Sequence, residues 1–548
     1  MAQVNLGGGL KLSGNTTLQY LYSANKSINN GFGAPKRPTH FPQFMGRLSL
    51  DYKNKLRIPI SLVLNPIMQF NGGINTPMEG PSSLNIFQYL SHPSNQVYVN
   101  PTYKGITFHL GHFVQFYSKL SVGDMKVFGV GAEYKHNNMS FAVQRGVLQP
   151  RVLNVAFNFN NGAYQRSLTA FRWQVKPNKK LDVGVNLALT GDRESSLDET
   201  PLFTRPEKTA VLSAQSKYKL DKNTQFQLEV SSSSYAPDAT LADTLREFGI
   251  GQVFIPNTTI FGGTALELSG STRKKNYRVN GRVGYRSRNF RTLAYPFLQS
   301  DMFEIEANPQ FTSFKKKLQT SATLGYKTSN VSKASGRSLR IPIAKISSNY
   351  RVNSAISVNG IYAFNAVSSS EDTLLPEIRS SNHVIRLLPS YRLNFNKLKN
   401  VFSLILGLNQ YANNSSALLA PTKTSTQNLG LIYRGVYEKH SAGLSFNSLN
   451  TRLNGTTLFR YNSITFSART KALSNKLAPF VRYTYTGVRN TTTKTGSKLV
   501  GQLGGQYTVS KKMTASLGAS IQYHKQGIGQ NVPGYREFVV RTGISYRL

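Results

Sequence analysis

The feature that most constrains this chain is a two-residue rhythm that runs along nearly its whole length. In residues 513–523, Met513, Ala515, Leu517, Ala519, Ile521 and Tyr523 alternate with Thr514, Ser516, Gly518, Ser520 and Gln522 without a break. Residues 181–189 and 318–327 follow the same rule. Successive side chains of a strand point to opposite faces, so each such segment has one apolar or small side and one polar side. Patterns of helical period are nearly absent. The chain therefore reads as an all-β protein whose strands each bury or coat a single face.

The connections carry a second regularity. Short turns rich in Lys and Asn fall at 53–55, 104–105, 135–138, 177–180, 221–223, 274–276, 315–317, 352–353, 396–399, 439–440, 474–476 and 510–512. Longer stretches rich in Gly, Ser, Pro and Asn lie between them, among them 25–40, 72–95, 193–207, 236–263, 368–382 and 411–428. Segments of roughly ten alternating residues, joined by short turns at one end and longer loops at the other, describe a transmembrane β-barrel. Pairing strands across the short turns, with an opening strand from about residue 11 and a closing strand at 537–548, predicts one barrel domain over 1–548. It has about 26 strands, or 24 to 28 depending on 152–160 and 248–260, with the short turns periplasmic and the long loops extracellular. Alternation from residue 11 predicts no N-terminal plug domain.

Composition removes the competitors. Charged residues are only 16% of the chain, while Tyr (28) and Phe (31) are abundant, which excludes disorder. No run approaches the ~20 apolar residues of a membrane helix. A string of β-sandwiches would show linkers every hundred residues or so, and a propeller a fixed repeat; neither is visible. The start, Met1-Ala2-Gln3, carries no apolar leader and is expected to be the remnant of an exported, processed chain.

The closing segment places Phe538, Val540, Ile544, Tyr546 and Leu548 on one face and Arg541, Gly543, Ser545 and Arg547 on the other. It resembles the C-terminal assembly signal of bacterial outer-membrane barrels, ending in Leu548 where that pattern usually has Phe. The resemblance implies the barrel-assembly machinery and outer-membrane lipids as partners. Segments 100–112 (NPTYKGITFHLGH) and 127–135 (VFGVGAEYK) resemble uncharacterised outer-membrane proteins of Bacteroidota, which implies a Gram-negative outer membrane and no particular activity.

Net charge is +42, from 66 Lys+Arg against 24 Asp+Glu. Parity says where it goes. Arg278, Arg282 and Arg286 oppose Tyr277, Val279, Val283 and Tyr285, and Arg386 and Arg392 oppose Ile385, Leu387, Tyr391 and Leu393. Arginine on a lipid face at the bilayer midplane costs about 2–4 kcal/mol, so these five, with Arg541 and Arg547, are expected in the lumen. Lys274, Lys275, Lys315, Lys316, Lys317, Lys511 and Lys512 sit in short turns and form a periplasmic basic rim. Tyr52, Tyr103, Tyr134, Tyr218, Tyr350 and Tyr437 precede such turns, where an aromatic girdle belongs.

A basic lumen favours anions, and a basic rim favours peptidoglycan or acidic periplasmic proteins, although lysine also simply solubilises turns. Aromatics that follow the lipid-facing parity leave no stacking surface for nucleic acid. No Walker loop, GxSxG elbow or HExxH motif occurs, Cys is absent, and His109 and His112 fall on opposite faces of a strand. Catalytic residues, a metal site and cofactors are therefore not expected.

A barrel this wide needs its lumen occupied. Loops 72–95 and 236–263 are the ones long enough to fold inward, and a lipoprotein, plug subunit or other member of a complex is the expected partner. The functional expectation is a transport or translocation conduit, with a scaffold barrel or an anion-preferring porin as alternatives.

Overall fold

The computed structural model describes all residues except 1–2, 28–38, 66–67, 72–73, 78–85, 93, 152–161, 198–203, 242–254, 256–259, 335, 370–375, 417–419, 491–492 and 527–533. Stretch 152–160 thus lies outside the described residues, as does 248–260 apart from Ile255 and Ile260. One antiparallel sheet of 28 hydrogen-bonded segments runs through the chain in sequence order. Gln96–Val99 and Thr102–Tyr103 are one wall strand interrupted at Asn100-Pro101, where proline has no N–H for the ladder. Gln3–Gly7 is a short arm folded back on the base of Leu10–Ser27. That leaves 26 strands around the wall.

The wall closes on itself. Leu10–Ser27 pairs with the last strand, Tyr535–Arg547, from Asn15↔Arg547 to Ser27↔Tyr535. The Leu548 amide adds a 3.0 Å bond to the Gly14 carbonyl. Closure removes the unpaired sheet edges that hydrocarbon does not tolerate.

The twelve short turns lie at one end of the barrel, and local chemistry explains them. Asn178, Asp221, Asn353 and Ser510 each accept two backbone N–H bonds from the residues two and three further on, at 2.6–3.2 Å. These are side-chain-capped turns. The backbone bonds from Asn223 and Thr224 hold the exposed Asp221 carboxyl below its ordinary range. Other turns use left-handed residues, such as Lys53-Asn54 and Leu473-Ser474-Asn475. The opposite end also holds short connections: His440–Leu453 and Thr456–Arg469 are joined by Asn454-Gly455 alone. Both residues have φ near +48° and +87°, a conformation that Asn and Gly reach at least cost.

The two faces of the wall differ in kind. Val130, Leu212, Leu268, Leu431, Leu503 and Ile544 lie outward and are exposed, part of an apolar belt far larger than a monomer in water tolerates. Tyr52, Tyr103, Tyr134, Tyr218, Tyr350 and Tyr437 project outward at the short-turn end. Lys53 and Lys104 lie over the rings of Tyr52 and Tyr103 at 5.3 Å. An apolar belt bordered by aromatic and snorkelling cationic side chains is the outer surface of a transmembrane barrel.

Candidate functional site: the lumenal wall

Two connections of the long-loop end turn into the barrel. Residues 115–125 follow Ile106–Val114, and residues 287–301 follow Tyr277–Arg286. Their apolar residues Tyr117, Leu120, Val122, Phe290 and Ala294 are buried against Ala142, Leu168, Ala188, Val211 and Ala265, all on the inward parity of the wall. Thr292 Oγ1 donates to the Ser121 carbonyl at 2.8 Å and joins the two segments. The wall is shaped to receive them. A Cβ at Gly263 would lie 2.2 Å from the Phe290 nitrogen, and between the two segments a Cβ at Gly123 would lie 2.5 Å from the Tyr295 ring. Burial also pushes the Tyr117 phenol up.

The loops expected to fold inward, 72–95 and 236–263, lie in large part outside the described residues. In 72–95, Tyr89 and Asn95 bond to the Asn65 backbone at 3.0 and 2.7 Å, at the top of the wall. In 236–263, Ile255 and Ile260 pack with Leu189, Ala210 and Ala236, which share the outward parity. The two segments that do turn inward, 115–125 and 287–301, are marked by their apolar content rather than by length.

A chain of charges links the segments through the wall. Lys119 Nζ lies 3.2 Å from Glu267, and Glu267 lies 4.0 Å from Arg282. Arg282 reaches Glu304 and Glu306 at 3.4 and 3.3 Å. Glu304 also meets Arg286 at 3.1 Å and Lys327 at 3.7 Å, and Arg286 Nε donates to the Gln299 carbonyl at 2.7 Å. A cavity of about 570 Å³ opens beside this chain, with Phe116, Tyr295 and Phe297 on its rim. Nearer the outer end, Arg166 holds Asp192 and Glu207, Glu207 accepts the Tyr235 hydroxyl, and Arg291 lies 4.9 Å over the Tyr235 ring.

The residues singled out from sequence divide into groups. Arg282 and Arg286 come together in the ion-pair chain, so their charges are answered locally. Arg278 faces Arg273 across the strand pair and donates to Asn280 at 3.3 Å. Arg386, Arg392, Arg541 and Arg547 are exposed on the inward parity, with no ion pair among the described residues. Lys274, Lys275, Lys315, Lys316, Lys317, Lys511 and Lys512 are exposed at the short-turn end. Phe538, Val540, Ile544 and Tyr546 share the outward face of the closing strand. His109 packs at a tilt beside Phe113 and His112 beside Phe128, on opposite faces. Sequence reading missed Glu267, Glu304 and Glu306. Glu306 lies directly opposite Arg282, while Glu267 and Glu304 flank Gly284 from its two neighbouring strands, so only the strand register brings all three to one arginine.

The fold and this interior define a large transmembrane β-barrel with an inward-folded, ion-paired sector. No family model and no curated protein matches the chain. Solved structures similar to it include the P pilus usher PapC translocation pore, at 9% identity over 98% of this chain and 99% of that one, TM-score 0.39. The Escherichia coli carbohydrate-binding barrel Wzi is 10% identical over 66% and 82%, TM-score 0.34. Acinetobacter baumannii OccAB2 is 12% identical over 67% and 97%, TM-score 0.29.

Proposed function

We propose that this chain is an outer-membrane conduit that moves solute or polymer through a basic lumen and works with a partner that occupies or caps the opening. The observation that carries this reading is an asymmetry of the inner wall. Both inward segments dock on the arc built by residues 106–329, where acids neutralise the arginines. The arc from Leu339–Arg351 to Tyr535–Arg547 has no inward segment among the described residues. Residues 339–548 hold 26 Lys+Arg against five Asp+Glu.

Closing 26 strands at the usual spacing and tilt gives a ring roughly 50 Å across if circular. Among the described residues, two short segments along one side leave most of that width open. An open basic channel concentrates anions, and its periplasmic lysine rim suits an acidic or peptidoglycan-bound partner.

The test pairs native-membrane purification and mass spectrometry with planar-bilayer recording. A stoichiometric partner whose removal raises conductance supports the reading. A lone chain that never conducts contradicts it and favours a filled scaffold barrel.

A further inference from the structure

Within the uncovered arc, one stretch of wall is built differently from the rest. Arg434 faces Gly443, Gly443 faces Ser467, Ser467 faces Arg482 and Arg482 faces Gln502, one continuous row across five strands. Arg469 lies two residues from Ser467 on the same inward face, diagonal to Arg482. Diagonal neighbours on one sheet face are about 7–8 Å apart, within reach of long side chains. The three arginines border a cavity of about 530 Å³ whose other inward-facing residues include Gly443, Ser445, Thr465, Ser467 and Gln502.

The floor is kept low. A Cβ at Gly443 would already stand 3.1 Å from Ser467 Oγ and 3.4 Å from the Tyr433 carbonyl. Among the described residues no ion pair or hydrogen bond holds any of the three guanidinium groups. The nearby acid Glu438 is engaged by Lys397 at 2.5 Å in the turn. Arg282 and Arg286, by contrast, are answered by Glu304.

Three gathered cations with no carboxylate repel one another, and the arrangement calls for a ligand that supplies the missing charge. Guanidinium groups bind oxyanions through paired, planar N–H donors, and the serine and threonine hydroxyls add further donors. We infer that Arg434, Arg469 and Arg482 form a binding site for a multiply charged oxyanion, borne by a phosphorylated or polycarboxylate solute entering from the lumen. This deepens the conduit reading and rests on it for the ligand's access.

Calorimetric titration of the purified, detergent-folded chain tests it, with inorganic pyrophosphate and citrate as separate probes. The wild type is expected to bind at least one probe, more weakly as salt rises. Preference for pyrophosphate marks a phosphoryl ligand, and preference for citrate a polycarboxylate; either supports the site. Arg434→Gln and Arg482→Gln should each weaken binding roughly tenfold. Ser467→Asp, which adds a carboxylate without removing any arginine, should abolish it and covers the case in which an arginine variant fails to fold.

Lys345→Gln, on the same wall but far from the row, should leave affinity within about twofold. No binding of either probe, or an equal loss in Lys345→Gln, would overturn the site. Probe binding without ion current would instead keep the site and remove the conduit.

Discussion

Gly263 and Phe290 touch backbone to side of the wall, with the missing Cβ of Gly263 placed 2.2 Å from the Phe290 nitrogen and 2.3 Å from its Cα. No rotamer change relieves such a contact, because the obstacle is main chain.

Gly263→Val should therefore push residues 287–301 off the wall. Phe290 and Ala294 would lose their buried seats, and channel conductance should rise with the barrel intact. Cysteine labelling at Thr292→Cys, protected in the wild type and exposed in the glycine variant, checks the displacement.

Arg286 and Glu304 are each 5% exposed by side chain and 3.1 Å apart. Arg286→Gln leaves Glu304 with Arg282 and Lys327 as remaining partners. The expected loss is about 1–3 kcal/mol, below that for an isolated buried pair. Glu304→Gln in the same chain should recover part of it. Urea unfolding from lipid vesicles measures both.

Neutralising arginines should not be equivalent around the lumen. Arg386→Gln, Arg392→Gln and Arg541→Gln together remove charges with no partner among the described residues, so anion preference should fall. Arg282→Gln removes a charge already balanced by Glu267, Glu304 and Glu306, so selectivity should barely move or shift toward cations less than the triple variant. Reversal potentials in a salt gradient separate the cases.

Acidification should loosen one turn before others. Asp221 accepts the Asn223 and Thr224 amides only as a good acceptor in its ionised form, and its carboxyl is depressed chiefly by the Asn223 bond. The sign follows: the contribution is present above the ordinary carboxylate range and is lost as pH falls through the depressed folded value. Amide exchange at Thr224 should accelerate on acidification, and Asp221→Asn should remove that dependence.

The fold was legible because a period of two, a turn rhythm and the parity of Tyr285 against Arg286 are local properties. Strand ends shifted little: the opening strand begins at Leu10 and the closing strand at Tyr535. The interior was less legible. Pairing of Arg282 with Glu306 depends on cross-strand register, and Glu267, Glu304 and Glu306 become neighbours of one arginine only when three strands are aligned. The inward seat of Phe290 depends on Gly263, which in sequence is one more small residue in a loop-to-strand transition. The cluster of Arg434, Arg469 and Arg482 was hidden for the same reason, since the three sit on three different strands.

The most direct measurement is the reversal potential of the purified chain, alone in a planar bilayer, across a potassium chloride gradient. The uncovered basic arc predicts large current steps and a reversal potential with the sign of chloride preference, weakened as salt screens the wall. Cation preference, or a membrane that stays silent after correct folding and insertion, would contradict a basic conduit.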